Sequence, residues 1–239
     1  MADGVSSGMT AGPETRADVA RLVLWFSPGF PTGAFGFSHG LEWAVETGDV
    51  GDRDSLIAWI AALLEHGSGW SDAVLLGVSH RALAGGDTSG LIEVAELAAA
   101  LQPSAERRLE TTVQGEAFVK AVATGWPSEG LARFRAACPG PVALPVAVGV
   151  ASASVGLPLA ETTAAYLAGF AANLVSAAIR LAPIGQSDGL RAVAALEPLI
   201  ARLAPKAADA GLSELGTFAI RSDIASMRHE TQFTRLFRS

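Results

Sequence analysis

The chain has 239 residues, half of them hydrophobic, and a single cysteine, Cys138. A chain of this length can bury a sizeable core without disulfide bonds or structural metal ions. One cysteine excludes an internal disulfide framework and a four-cysteine zinc site. The net charge of −7 argues against nucleic acid as a partner, because no basic face is available to displace phosphate counterions.

The N-terminal residues 1–16 are predicted to form a disordered leader. They lack the basic segment and the apolar core of a signal peptide. Together with the single cysteine, this predicts a cytoplasmic protein.

The body of the chain has the apolar spacing of successive amphipathic helices. The clearest helix is predicted over residues 52–66, with Asp52 as its N-cap and Gly67 at its end. Further helices are predicted over residues 41–47, 71–84, 89–101, 104–124, 144–155, 159–181, 188–203 with a bend at Pro198, and 213–227. No stretch alternates long enough to demand a sheet, so we expect an all-α fold, a single compact domain of roughly eight to ten helices over residues 17–222.

Residues 164–179 are apolar enough to raise the question of a membrane span. The stretch is shorter than the ~20 residues that a span requires, it contains Asn173, and Glu161 and Arg180 flank it. A buried helix is therefore predicted, and no membrane. Its small residues would allow a neighbouring helix to approach closely, either within the fold or across a dimer interface.

The residues that could carry chemistry are few. The four histidines, His39, His66, His80 and His229, have no metal-ligand spacing, so no metal site is expected in this chain. His66 is predicted at a helix C-terminus, where the helix dipole favours an imidazolium, and His80 is predicted on a solvent-exposed helix face. Neither histidine therefore requires a functional role. Phosphate-binding and nucleophile motifs are missing as well, so we expect no enzyme. A stand-alone hydrolase assembled from distant residues is the alternative.

One unusual stretch is SPGFPTGAFGFSHGLEWAVE, residues 27–46. Its glycines and prolines exclude a core strand, and a solvated linker would not need its phenylalanines. Two interpretations stay open: an ordered loop that covers the protein's own core, or the lining of a groove or interface.

The other unusual stretch is the C-terminal SMRHETQFTRLFRS, residues 226–239. Chain ends are commonly polar, whereas this one combines arginines with phenylalanines and a leucine, which are typical of interface cores. From residue 221 onward, four arginines accompany two acidic side chains, while residues 1–220 are strongly acidic. The composition predicts a segment that orders on meeting a partner. The alternative is a tail that folds back on its own acidic body.

The stretch of residues 27–46 is one of three regions, with LAPIGQSDGLR at residues 181–191 and DIASMRHETQFTRLFRS at residues 223–239. These three regions resemble the signature regions of the UreF family of urease accessory proteins. The resemblance covers residues 17–239. It implies an all-helical, non-enzymatic, cytoplasmic protein that forms a homodimer. The protein would bridge the UreD scaffold, also called UreH, and the UreG GTPase in an assembly that delivers nickel to apo-urease. No cofactor is implied, because the assembly rather than this chain would hold the nickel.

The resemblance also implies roles for particular residues. Residues 223–239 would be a mobile segment that docks on the UreD/UreH protein. Its contact residues would be Ile224, Met227, Arg228, His229, Glu230, Phe233, Arg235, Leu236, Phe237 and Arg238. Residues that would meet the GTPase, or line the path of nickel, are Phe30, Pro31, Gly33, Phe35, Ser38, His39, Glu42, Arg180, Pro183, Gly185 and Gln186.

Two further points follow from the resemblance. Arg180 lies where the family carries a basic residue proposed to influence the GTPase, so it is either an arginine finger or a cap on its own helix. The protein could accordingly act as a regulator of the GTPase, an activator or a gate, rather than mainly as a scaffold. Phe30 and Thr32 depart from the aliphatic residues common in the family loop, which affects only local contacts.

Overall fold

The structure, a computed structural model, describes residues 13–239. Eleven α-helices follow one another: α1 Pro13–Trp25, α2 Leu41–Glu46, α3 Arg53–His66, α4 Ser68–Ala84, α5 Thr88–Ala100, α6 Ala105–Gly125, α7 Glu129–Ala137, α8 Leu144–Ser154, α9 Leu159–Leu181, α10 Gln186–Asp209 and α11 Ile220–His229. Short 3-10 turns occupy Ala34–Gly36 and Leu212–Glu214. The described residues contain no strand, so the all-α prediction is confirmed.

Side-chain caps explain where several helices begin. The Asp52 carboxylate accepts the backbone N–H of Ser55 at 2.8 Å, and the Ser55 hydroxyl accepts the backbone N–H of Asp52 at 3.1 Å. Ser104 caps α6 in the same way through the backbone N–H of Arg107. Each cap satisfies a backbone donor that has no partner within its helix, which is why the sequence located these starts well.

The core is formed where α4, α8, α9 and α10 pack against one another, with α6 and α3 on their outer sides. Small residues let the axes approach: a Cβ atom at Gly149 would collide with the Leu76 carbonyl, and one at Gly115 with the Val142 carbonyl. Within residues 13–239, α9 alone is long and apolar enough to cross a membrane. It packs along α10, α4 and α2 and buries Tyr166, Leu167 and Leu174, as expected of a core helix.

Three helical predictions differ from the structure. Helix α10 continues through Pro198 and Pro205 to Asp209, because its last turns bury alanines. Arg81 of α4 also donates to the carbonyls of Ala208 and Ala210 at the helix end. The helix predicted over residues 213–227 instead begins at Ile220, because the Phe218 N–H is held by the His66 carbonyl at 2.6 Å. Helix α7 was not predicted, because only two of its nine side chains, Leu131 and Phe134, are buried and the apolar pattern is therefore short.

Two smaller predictions are also corrected. The last residues of the predicted leader, 13–16, belong to α1, where Pro13 suits a first helical position; residues 1–12 lie outside the described part of the chain. His80 lies half-buried rather than on a solvent face, with Nε2 3.1 Å from the Leu157 carbonyl.

Candidate functional site

The two unusual stretches of the sequence meet in the structure. We call residues 220–239 the C-terminal tail and residues 27–40 the aromatic loop. The Arg238 N–H donates to the Gly36 carbonyl at 2.9 Å, and the Ser239 carbonyl accepts the Ser38 N–H at 2.5 Å. A Cβ atom at Gly40, whose φ is +76°, would lie 2.8 Å from the Ser226 nitrogen. Glycine is thus required where α11 crosses the end of the loop.

A group of charged side chains, buried at Glu42 and His229 and exposed at Arg235, fastens the tail to the body. We call Glu42, Glu106, His229 and Arg235 the polar lock. The Glu42 carboxylate lies 3.1 Å from His229 Nε2 and accepts the backbone N–H groups of Leu236 and Phe237 at 2.6 and 3.0 Å. Three contacts from the tail therefore converge on one body carboxylate.

The second carboxylate of the lock is held in the same way. Glu106 Oε2 lies 2.6 Å from His229 Nδ1, and its Oε1 accepts Arg235 Nη1 at 2.8 Å. The His229 ring is fully buried, and each of its nitrogens faces a carboxylate, an arrangement that an imidazolium satisfies with two donors. The charge asymmetry of the sequence thus appears as ion pairs between the tail and the body.

Further tail residues reach the ends of body helices. Glu230 Oε1 accepts the Ala105 N–H at 2.8 Å, at the start of α6, where a carboxylate is favoured by the helix dipole. The Gln232 amide donates to Glu46 at the end of α2. Phe237 is buried in the core beneath the loop.

The predicted mobile segment is therefore packed on the body in this structure, which is the alternative that the sequence had left open. The physical reason is that Glu42 and Glu106 lie on the body with their carboxylates directed at the tail. Without the tail, the carboxylates of Glu42 and Glu106 would lose His229 and Arg235 and would have no cation in this cluster.

The outward face of the tail is of a different kind. Ile220, Ile224 and Met227 follow at helical spacing on α11 and are about half exposed. Phe233 and Leu236 are also exposed beyond the helix end. We call these five residues the outer stripe. Arg228 and Arg238, also exposed, accompany it, so an apolar surface with cationic edges lies without a partner in the described structure.

A second buried cluster lies under the aromatic loop. Glu110 Oε2 is 2.5 Å from Arg107 Nη1 and accepts the Ser239 hydroxyl at 2.7 Å. Burial alone would raise the pKa of Glu110, but the Arg107 guanidinium, His39 and the Ser239 hydroxyl together outweigh burial and hold that pKa well below its usual range. Burial, and next Arg107, lower the pKa of His39 to about 4. The ring is therefore neutral at pH 7, with Nε2 2.6 Å from the Ser68 hydroxyl.

Arg180 joins the end of α9, the aromatic loop and the tail. Its guanidinium carbon lies 3.8 Å from the centre of the Phe35 ring and 4.4 Å from that of Phe237. Nη1 donates to the Phe35 carbonyl at 2.6 Å, and Nε donates to the Ser176 carbonyl at 3.2 Å. This position fits a clamp on its own chain, since a finger reaching another protein would first have to leave both rings.

The remaining residues predicted at the GTPase side do not form one surface. Phe35 and Gln186 join Arg180 around a shallow groove of about 360 Å³ between α9 and α10. Pro183 and Gly185, which precede Gln186 in the chain, are not among its lining residues. Phe30, in contrast, packs on Phe118 with ring centres 5.2 Å apart and serves the core. Pro31 and Gly33 lie exposed on the loop, while Ser38, His39 and Glu42 are buried.

The sequence did not point to a cavity of about 460 Å³ beneath the aromatic loop. Asp72 of α4 and Tyr166 of α9 line it, and the tyrosine hydroxyl donates to Asp72 Oδ2 at 2.8 Å. One signal existed, an aspartate at position 72 inside the apolar run of α4. Residues 13–239 contain no group of three or more His, Cys, Asp or Glu side chains arranged to hold a metal ion.

Comparisons with known proteins agree on one family. The model of the UreF family matches residues 50–197. The urease accessory protein UreF of Rhodopseudomonas palustris strain HaA2 is 53% identical over 233 residues, 96% of this chain and 98% of that protein. UreF of Xanthobacter autotrophicus is 51% identical over 238 residues, 99% and 98% of the two chains. UreF of Bradyrhizobium diazoefficiens is 47% identical over 235 residues, which are 98% of this chain and 97% of that protein.

Proposed function

Because the chain belongs to the UreF family of urease accessory proteins, we propose that it is a non-catalytic bridge in urease maturation. It joins the UreD/UreH scaffold to the UreG GTPase in the cytoplasm, as a homodimer, within an assembly that transfers nickel to apo-urease. The nickel is held by the assembly rather than tightly by this chain.

The observation that carries this proposal is the outer stripe of the tail. Ile224, Met227 and Phe233 are large apolar side chains that remain exposed. Complete burial would contribute about 1.5–3 kcal/mol for the fully exposed Phe233 and about half as much for each of the half-exposed Ile224 and Met227. Their backbone is not free to turn inward, because the polar lock fixes the opposite face of the same segment. We therefore assign the outer stripe to the UreD/UreH protein, with arginines at its edge for acidic partners.

The groove formed by Phe35, Arg180 and Gln186 is our candidate for the GTPase side. None of its lining residues belongs to the outer stripe, although Arg180 also contacts Phe237 of the tail. A bridge between two partners requires two such sets of residues. A second function, control of GTP turnover, is favoured by one feature: Arg180 Nη2 is buried and has no hydrogen-bond partner among the described residues.

The test of the assignment uses point variants, because deleting the tail would leave the carboxylates of Glu42 and Glu106 unpaired and disturb the body. The variant combines Ile224→Asp with Met227→Asp, at positions 49% and 48% exposed. Two charges in an apolar interface core should weaken binding to the UreD/UreH protein at least about 100-fold. Circular dichroism should show an unchanged helical body.

The matched control combines Ile92→Asp with Leu101→Asp, at positions 38% and 43% exposed on and beside α5. It adds the same charge elsewhere and should bind normally. Binding is measured by size-exclusion mass of mixtures with the UreD/UreH and UreG proteins. If the outer-stripe variant still forms the complex, the outer stripe is not the docking surface.

A further inference from the structure

The cavity under the aromatic loop has the features of a ligand pocket. Its volume of about 460 Å³ falls within the range of roughly 300–1,000 Å³ that is typical of small-molecule sites. The aromatic loop forms one side, and α4, α6 and α9 supply the others. The site is separate from the outer stripe, so the argument is independent of the partner assignment.

The charges that face the cavity do not balance. Arg107 forms an ion pair with Glu110, with Nη1 2.5 Å from Oε2. His39 is neutral at pH 7, because burial lowers its pKa to about 4. Asp72 is 5% exposed and forms no ion pair with any described residue. Its one hydrogen bond comes from Tyr166. The polar floor therefore carries one buried negative charge without a counter-ion.

Such a charge is costly unless something offsets it. Burial raises the pKa of Asp72 to about 6, although the Arg107 guanidinium and the Tyr166 hydrogen bond partly offset that rise. The carboxylate is nevertheless largely ionised above pH 7. A cation in the cavity would remove the imbalance. An inorganic divalent ion is a poor fit, because such ions require several oxygen or nitrogen ligands and the described residues provide no such group.

The walls favour an organic cation. Phe26 and Tyr166 meet edge to face with ring centres 6.2 Å apart, and Phe170 stands across His39 at 5.0 Å. All four residues line the cavity. Aromatic faces attract ammonium and guanidinium groups and also cover their apolar bodies.

We propose that this cavity binds a monovalent organic cation of the amidinium, guanidinium or primary ammonium class, with Asp72 as its counter-ion and the rings of Phe26, Tyr166 and Phe170 against its body. The same chemistry is available from a free small molecule and from an arginine or lysine side chain of a peptide. The experiment distinguishes these two sources.

The test is isothermal titration calorimetry of the full chain with matched probes at pH 7.5. Benzamidine carries the cation, benzamide is its neutral isostere, and benzoate is the anion. Benzamidine should bind saturably and at least about 10-fold more tightly than benzamide, and benzoate should not bind. Equal binding of benzamidine and benzamide, or no saturable binding of benzamidine, would overturn the proposal.

The variant Asp72→Asn removes the charge and keeps an acceptor for Tyr166. It should abolish the preference for benzamidine, while Asp54→Asn, an exposed control on α3, should leave the preference intact. If Asp72→Asn retains the preference, Asp72 is not the counter-ion and the proposal fails. Should that variant not fold, the comparison of probes on the unaltered chain still decides.

Two further arms complete the design. Lowering the pH from 7.5 to 5 should weaken benzamidine binding about 10-fold, because Asp72 becomes protonated; an unchanged affinity contradicts the assignment. N-acetyl-arginine amide identifies the source. Binding as tight as that of benzamidine indicates a peptide side chain, and binding of benzamidine alone indicates a free small molecule.

Discussion

The polar lock and the cavity floor are both buried and charged, but they differ in how their carboxylates are satisfied. Glu42 and Glu106 of the lock are each matched by His229 and by further donors from the tail. Asp72 of the floor has a tyrosine hydroxyl and no cation. A paired buried charge fixes one segment against another, whereas an unpaired one marks a place where a ligand could supply the missing charge.

The largest effect is expected from Glu42→Ala in the lock. The change leaves His229 facing one carboxylate instead of two and deprives two backbone N–H groups of their acceptor. Removing one partner of a buried charge network costs about 3–5 kcal/mol. The midpoint of urea unfolding should fall accordingly, and the amides of Leu236 and Phe237 should exchange hydrogen faster.

The control for this variant is Glu65→Ala. Glu65 pairs with Arg202 at 2.7 Å on the surface, where an ion pair contributes about 0–1 kcal/mol. If Glu42→Ala proves as mild as Glu65→Ala, the lock does not hold the tail, and the tail is fastened mainly by Phe237 and the aromatic loop.

Asp72→Asn should have an intermediate effect of opposite sign. Because the pKa of Asp72 rises from 3.8 to about 6 on folding, the folded state holds its proton more tightly than the unfolded state. Its contribution to stability is complete below pH 3.8 and is lost as the pH rises through about 6. Removing the charge should therefore stabilise the free protein at pH 7.5 by on the order of 3 kcal/mol.

The pH dependence isolates this group from its neighbours. The pKa of His39 is lowered from 6.5 to about 4, so its contribution has the reverse sign and is lost as the pH falls through that window. The two effects oppose each other between pH 4 and 6. The difference in free energy of unfolding between Asp72→Asn and the unaltered chain should grow from near zero at pH 4 to its full value above pH 6. A constant difference would mean that Asp72 is not buried as a charge.

The helical body was largely predictable from the sequence, because its signals are local. Asp52 and Ser104 are N-cap residues that indicate where α3 and α6 begin, and a long apolar stretch indicates the extent of α9. Prediction failed where a distant contact decides: Arg81 of α4 supports the last turns of α10, and the His66 carbonyl delays the start of α11.

The candidate site was predictable in its residues but not in its arrangement. The composition of the tail identified His229 and Phe233 as unusual, yet helical spacing does not say which side chain turns inward. That depends on Glu42 and Glu106, which are 187 and 123 positions from His229. Asp72 gave a weaker signal still, since one acid in an apolar helix does not disclose whether a cation lies opposite.

The smallest effect is expected from Arg180→Ala, which tests whether this arginine belongs with the paired charges or acts outside the chain. Loss of its contacts with the Phe35 and Phe237 rings and with the Phe35 carbonyl should cost about 1–2 kcal/mol of stability. Arg180→Lys, which keeps the charge but loses the planar guanidinium, should recover only part of that loss. In a preformed complex with the GTPase, a clamp predicts unchanged GTP hydrolysis for both variants. A finger predicts slower hydrolysis with Arg180→Ala and little loss of stability, so the two measurements together assign Arg180 to the fold of this chain or to the chemistry of its partner.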